Sequence, residues 1–251
     1  MKRRFRGIIL PLLLLFGSCG IDDYPYMEPV PQANISRPGG YGVEIRLPGS
    51  PGSNFRHFTI FYRIYVSSIP LPLPVPGDAS IINQTLYSDY VALYQYTTNT
   101  VDTTNIASQF YSRHYYSLDL EGVDIDSELN SSSLGKTISL DFDPNQTPSM
   151  NLNLSGSSTG EIRLLRSDGR SASEGIFTPV PSDRYLLNSS GLYTNNNNSA
   201  QNADVAYTGS SGEVRYTYVS MYILAAGIDT NYSPVYSQPT FIGIFLLPDL
   251  H

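Results

Sequence analysis

The chain has no tryptophan, one cysteine and three histidines among its 251 residues. A single cysteine excludes an internal disulfide, so the stability of the fold must come from packing. Two of the histidines, His57 and His114, are internal, and with no spare thiol they are too few for an ordinary structural zinc site. The absence of tryptophan also weakens a sugar-stacking interpretation. The sequence therefore predicts neither a cofactor nor a metal centre.

Basic residues are scarce beyond the N-terminus. Lysine and arginine total 15 against 22 aspartates and glutamates, and four of the basic residues lie within the first six positions. The remainder of the chain is strongly acidic, which repels a phosphate backbone and argues against nucleic acid as a partner. With 41% apolar and 15% charged residues, the chain is too apolar for a disordered protein and too polar for a membrane bundle. An ordered globular protein remains.

The first twenty residues are organised as an export signal. A basic head precedes an apolar run at 7–16 that is too short to span a bilayer, and the small residues Gly17 and Ser18 then precede Cys19. We predict that residues 1–18 are a signal peptide. The segment Leu15-Phe16-Gly17-Ser18-Cys19 resembles the lipobox of bacterial lipoproteins, with Phe16 similar to the looser lipoboxes of spirochaetes. Simple secretion and a chance match are the alternatives.

The lipobox resemblance implies a lipid anchor. By this resemblance Cys19 becomes the acylated N-terminus and palmitate is an expected modification. The membrane is then a partner of the protein through the acyl chains. Several acyl chains anchor a protein firmly, whereas one chain binds only marginally. The resemblance also implies the outer membrane of the bacterial cell envelope, because Gly20 follows the cysteine where retention in the inner membrane would favour Asp. We predict that residues 19–40 form a flexible tether, because this segment contains four prolines and the pair Gly39-Gly40.

We predict that residues 41–251 form a single, mainly β domain. Apolar residues alternate with polar ones in two early segments and again near the end, which is typical of strands. The early strands contain Val43, Ile45 and Leu47, then Phe58, Ile60, Tyr62, Ile64 and Val66. A strand over 215–226, a turn at 229–231 and a final strand over 236–247 complete the pattern.

The C-terminal segment resembles the closing F and G strands of fibronectin type III domains. Ala226, Asn231, Ser233, Pro234 and Ser237 carry that likeness. It implies an immunoglobulin-like or fibronectin III-like sandwich. Because such a sandwich needs only ~100 residues, we expect a long insertion at about residues 67–202. Helical spacing at 86–94 and 106–110 predicts that this insertion contains short helices.

Tyrosine is the one residue type that is unusually frequent, with 20 residues against 10 phenylalanines and no tryptophan. Exposed tyrosines anchor partner surfaces at low entropic cost, so a binding face is predicted within the insertion. The alternative is that tyrosine simply replaces phenylalanine and tryptophan in a β fold with a polar surface. The predicted binding residues are Tyr94, Tyr96, Tyr111, Tyr115 and Tyr116.

Two acidic clusters, at 124–128 and 141–145, fail the spacing of an EF-hand loop. A looser calcium loop and a carboxylate pair for sugar hydrolysis remain open, since the separation of carboxylates in space decides the second. We expect a non-catalytic binding or adhesion module with a protein or glycan ligand. The alternatives are a periplasmic structural or assembly lipoprotein and a hydrolase acting on glycans.

Overall fold

The computed structural model describes residues 27–39, 42–71, 85–98, 105–121, 129, 134–141, 149–153, 163–165, 185–187, 193–195, 205–207 and 216–247. Two α-helices are present in these residues, α1 (Thr85–Thr98) and α2 (Ile106–Ser112), together with a 3₁₀ turn at Gln32–Asn34. The strands are β1 (Ile35–Gly39), β2 (Gly42–Arg46), β3 (Phe55–Ser67), β4 (Tyr116–Ser117), β5 (Asp119–Glu121), β6 (Thr137–Asp141), β7 (Ser149–Asn153), β8 (Arg163–Leu165), β9 (Tyr185–Leu187), β10 (Tyr193–Asn195), β11 (Val205–Tyr207), β12 (Tyr216–Ile228), β13 (Pro234–Tyr236) and β14 (Thr240–Leu247).

The first sheet has the strand order β1-β2-β6-β7 and is antiparallel throughout. In β2, Val43 and Ile45 are fully buried while Glu44 between them is exposed. Val43 lies opposite Leu140 and Ile45 opposite Ile138, so β2 and β6 turn their apolar residues to the same side. This period of two is what a half-buried sheet requires.

The second sheet is built on the long antiparallel pair β3 and β12, each of 13 residues. On its other side β12 pairs with β13 and β14, which together form one interrupted edge. On the other side of β3, β4 is antiparallel and β11 is parallel. Two further pairs, β5 with β8 and β9 with β10, are short and antiparallel.

The two large sheets face each other across a common core, which confirms the predicted mainly β sandwich. From the first sheet this core contains Val43, Ile45, Ile138 and Leu140. From β3 it contains the alternating residues of the sequence pattern, Phe58, Ile60, Tyr62, Ile64 and Val66. Burial of this apolar area is the main force that holds the sheets together.

The helices cover the opposite face of the second sheet. Phe61 of β3 and Tyr222 of β12 pack with Leu93 of α1 and Phe110 of α2 in a second apolar cluster. Tyr65 and Tyr218 pack with Leu86 in a third. The central strands are therefore buried on both faces, which explains their nearly continuous burial from Phe58 to Ser67 and from Tyr218 to Gly227.

The structure corrects the predicted boundary between tether and domain. Met27 and Val30 belong to the core, with 2% and 1% of their surface exposed. Thr240 Oγ1 donates to the Val30 carbonyl at 2.5 Å, and an Arg37 Nη2 donates to the Ile242 carbonyl at 3.3 Å. Residues 27–39 are thus part of the domain. The sequence did not predict this burial, because Met27 and Val30 are isolated apolar residues in a proline-rich segment without apolar periodicity.

The predicted insertion at 67–202 also needs correction. Its first part supplies α1 and α2, as expected for short helices, but β6 and β7 lie within the first sheet of the sandwich. The segment is therefore not an insertion over its whole length. The predicted signal peptide, residues 1–18, and Cys19 lie outside the described residues. No helix among the described residues has the length and apolarity needed to cross a membrane.

Candidate functional site

A cleft lies at the end of the second sheet where β3 begins and β12 ends. Its volume is about 370 Å³, within the range of small-ligand sites. The described wall comes from β3, α2, β4, β12 and β13. Its members include His57, Thr59, Phe61, Ala107, Tyr111, Ser117, Gly227, Ile228, Pro234 and Tyr236.

Aromatic packing sets the position of Tyr111 at this cleft. The helix α2 brings Phe110 onto Phe61, with ring centroids 4.6 Å apart in a stacked arrangement. The next residue, Tyr111, meets the same Phe61 ring edge-on at 5.6 Å. Tyr111 nevertheless remains 47% exposed. Packing thus fixes the position of the Tyr111 ring, and its exposed part is open to a ligand.

Tyr236 of β13 also lines the cleft, close to Tyr111. Burial raises the pKa of the Tyr236 phenol, and the neighbouring Tyr111 raises it further. The Tyr236 phenol therefore stays neutral at physiological pH, and the hydroxyls of Tyr236 and Tyr111 can each donate or accept hydrogen bonds. Together with His57, Thr59 and Ser117 they place a few polar groups on an otherwise apolar wall, which is typical of binding sites.

The other predicted tyrosines lie in different surroundings. Tyr116 is partly buried, and its ring centroid is 6.1 Å from that of Tyr111. Tyr94 and Tyr96 lie on α1 and are also partly buried, with Tyr94 packed on Tyr90 at 5.3 Å. None of these three is among the described residues that line the cleft.

Tyr115 has no exposed surface. The prediction of a partner-facing role for Tyr115 is therefore corrected. The helix α2 ends at Ser112, and His114 adopts a positive φ of 57°. This reversal of the chain sends Tyr115 inward while Tyr111 stays at the surface.

Tyr115 instead belongs to a buried polar network between the second sheet and the helices. Its hydroxyl donates to Ser220 Oγ at 2.9 Å and lies 3.1 Å from the Tyr65 hydroxyl. Tyr65 donates to Asp89 Oδ2 at 2.7 Å, and Arg63 Nη1 reaches the same oxygen at 2.5 Å. Burial raises the pKa of Tyr115 to about 12. The network fixes α1 and the segment after α2 on the sheet.

Asp89 is the acidic member of this network. Burial raises the pKa of the Asp89 carboxyl above its ordinary value, although Arg63 and the hydrogen bond from Tyr65 act in the opposite direction. Burial also raises the pKa of Tyr65 well above its ordinary value. None of the residues of this network is among the described residues that line the cleft, and its hydrogen bonds join α1 to the second sheet.

The described cleft wall contains no aspartate or glutamate. Within the described part of the chain, no three His, Cys, Asp or Glu side chains come together in a way that would hold a metal ion. The wall as described is suited to binding by aromatic and apolar contact. Of the predicted acidic clusters, residues 124–128 and 142–145 lie outside the described residues.

The sequence predicted Tyr111 at the site but not the lining residues that come from the strands. His57, Ile228, Pro234 and Tyr236 come from strands that are far apart along the chain and adjacent only in the sheet. The one local signal near them is the pair Ser233-Pro234, which follows the predicted turn at 229–231 and precedes the predicted final strand. Comparison with protein-family models, with curated proteins and with solved structures finds no match to this chain.

Proposed function

We propose that this protein is a lipid-anchored, non-catalytic binding or adhesion module of the bacterial cell envelope. The observation that carries the proposal is the cleft of about 370 Å³, walled by Tyr111 and Tyr236 over an apolar floor. Tyrosines of this kind supply large rigid contacts at low entropic cost. A protein or glycan ligand suits this wall, since both offer apolar faces with hydrogen-bonding groups.

The anchoring part of the proposal rests on the segment before the domain. A basic head, a short apolar run, two small residues and the sole cysteine follow one another in the order of a lipoprotein signal. Acylation at Cys19 and residence in the outer membrane follow from that resemblance. Labelling cells with radioactive palmitate tests it directly, because the label should appear on the wild-type protein and disappear from the Cys19→Ser variant.

The strand neighbours support the proposed likeness to fibronectin type III domains. In immunoglobulin-like sandwiches strand F lies between C and G, and strand B lies in the other sheet. Here β12 lies between β3 and the edge formed by β13 and β14, while β2 lies between β1 and β6. One departure is that β7 follows β6 in sequence, whereas the strand at that place precedes its neighbour in immunoglobulin domains.

Site-specific photo-crosslinking tests the binding site in cells. The photoreactive amino acid p-benzoylphenylalanine replaces Tyr111, which is 47% exposed, or Ile69, which is 45% exposed. Ile69 follows the far end of β3 and is a control of matched exposure. We expect a discrete adduct from position 111 and none from position 69. Equal adducts at both positions, or none at either, would contradict a ligand site at the cleft.

Orientation in the envelope decides what kind of ligand is available. Protease is added to intact cells, with a known periplasmic protein as the integrity control. Digestion places the domain outside the cell and supports adhesion or capture of an external ligand. Survival until the outer membrane is opened favours a structural or assembly role in the periplasm over adhesion.

A further inference from the structure

The chain enters the domain beside the cleft. A Cβ placed on Gly227 would lie 3.0 Å from the Met27 sulfur and 2.0 Å from the Asn54 carbonyl oxygen. The next residue, Glu28, donates its backbone N–H to the Pro51 carbonyl at 2.8 Å. Met27 is therefore fixed at the end of the second sheet where β12 ends. Whatever precedes Met27 departs from this end of the domain.

Covalent geometry limits how far this end can lie from an anchor on Cys19. Seven residues lie between Cys19 and Met27, so eight Cα-to-Cα steps join them. At about 3.6 Å per step, the chain spans at most roughly 29 Å here. Ile69 lies beyond the other end of β3, a strand of 13 residues that is roughly 40 Å long at the usual rise. The Met27 end is thus the end of the domain that an acylated Cys19 would keep near the bilayer.

The same end carries an exposed aromatic turn. Tyr232 is 88% exposed and Ile228 is 40% exposed. Asp229 Oδ1 accepts the backbone N–H groups of Asn231 and Ser233 at 2.8 and 2.7 Å, and the Asp229 carbonyl accepts the Tyr232 N–H at 3.1 Å. Tyr232 has a φ of 61°, a conformation that non-glycine residues seldom adopt. The turn thus presents the ring on a fixed support.

We propose that Tyr232 and Ile228 rest on the surface of the membrane that holds the acyl chains. Tyrosine is enriched at membrane interfaces because its ring is apolar and its hydroxyl remains wet. The exposed residues at this end include one acidic side chain, Glu28, and one basic side chain, Arg56. The proposed contact is therefore apolar and does not depend on anionic lipid. The inference rests on the proposed anchoring at Cys19. It gives the module a second membrane contact and places the cleft close to the lipid.

The lack of tryptophan allows a direct measurement. The Tyr232→Trp variant of the chain from Cys19 to His251 contains one tryptophan as its sole reporter. Its only thiol, Cys19, is coupled to a maleimide lipid in phosphatidylcholine vesicles with brominated acyl chains. We expect Trp fluorescence to shift to shorter wavelength and to be quenched by the brominated lipid. The control from the opposite end of β3 is Ile69→Trp, whose fluorescence should be neither shifted nor quenched.

Chemical coupling separates this test from the proposed function. If palmitate fails to label the protein in cells, the anchor proposal fails, yet the vesicle measurement still reports whether the turn contacts lipid. Ile228→Asp in the Tyr232→Trp background should reduce the quenching while far-ultraviolet circular dichroism stays unchanged. Absence of quenching at position 232, equal quenching at positions 232 and 69, or quenching only with anionic phosphatidylglycerol would each overturn the proposed contact. A shift without quenching would overturn it too, since another protein surface would then cover the turn.

Discussion

Arg63 of β3 and Asp89 of α1 form an ion pair between the second sheet and the helix that covers it, with Nη1 and Oδ2 2.5 Å apart. Their side chains are only 9% and 11% exposed. The Arg63 guanidinium also lies over the Tyr65 ring, 5.2 Å from its centroid. Because both charges are withdrawn from water, each depends on the other for compensation. The pair links the predicted insertion to the sandwich.

Removal of Asp89 should therefore destabilise the protein strongly. Asp89→Ala leaves the Arg63 charge buried without its carboxylate, and such losses cost about 3–5 kcal/mol. Urea unfolding followed by circular dichroism measures this loss. The double variant Arg63→Met/Asp89→Leu removes both charges and should be more stable than Asp89→Ala. A double variant that is no more stable than the single one would show that charge compensation is not the cause.

The stability contribution of Asp89 should change with pH in an unusual direction. Burial raises its pKa in the folded state, while Arg63, Tyr65, Arg113 and His114 act to lower it. The folded protein then binds this proton more tightly than the unfolded chain does. The stability that this proton contributes is fully present below the pKa of Asp89 in the unfolded chain. It is lost as the pH rises through the pKa of Asp89 in the folded protein.

Comparison with Asp89→Asn isolates this effect, because asparagine is neutral at every pH. We expect the free energy of unfolding of the wild type, minus that of Asp89→Asn, to fall as the pH rises through this window. Urea unfolding of both proteins at a series of pH values measures the difference. A difference that rises with pH would mean that Arg63 outweighs burial and lowers the pKa of Asp89.

The sequence was sufficient to predict the alternating face of β3 and the closing strands. Phe58 to Val66 alternate because one face of the strand meets the first sheet, and period two is a local property that can be read along the chain. The turn at Asp229 was predicted from residue types that favour turns. The other face, which carries Phe61 and Tyr65, packs against the helices. This packing joins segments that are distant along the chain, so no local pattern predicts it.

The candidate site was predicted only in part for the same reason. Tyr111 and Tyr115 belong to one tyrosine-rich run, and composition alone does not reveal which ring points inward. The positive φ at His114 after the end of α2 decides it. His57 and Tyr236 meet at the cleft only because β3 and β13 flank β12. Parallel pairing of β11 with β3 has no local signal either.

Two buried tyrosines on the helix-covered face should respond oppositely to loss of the hydroxyl. Tyr115 bonds to Ser220 and lies close to the Tyr65 hydroxyl, whereas the buried Tyr222 hydroxyl has no hydrogen-bond partner in the described structure. Tyr115→Phe leaves Ser220 without this bond and should cost about 1–3 kcal/mol. Tyr222→Phe removes a buried group without a partner and should be neutral or stabilising by about 1 kcal/mol.

Urea unfolding of both variants measures these changes at a single pH, chosen below the range in which tyrosine titrates. Tyr111→Phe is the surface control and should change stability by less than about 0.5 kcal/mol. Equal losses for Tyr115→Phe and Tyr222→Phe would contradict the network, since only the first has bonds to lose.

Replacement of Gly227 should disturb the entry of the chain into the domain. The Cβ of Gly227→Ala would lie 2.0 Å from the Asn54 carbonyl oxygen and 2.8 Å from its carbon, so the backbone must move. Overpacking of this kind costs about 1–3 kcal/mol or more, which urea unfolding would detect. Gly49→Ala is the matched control, because no atom lies within 4 Å of its added carbon. If both variants were equally stable, the close approach of Asn54 and Met27 to β12 would not be required for the fold.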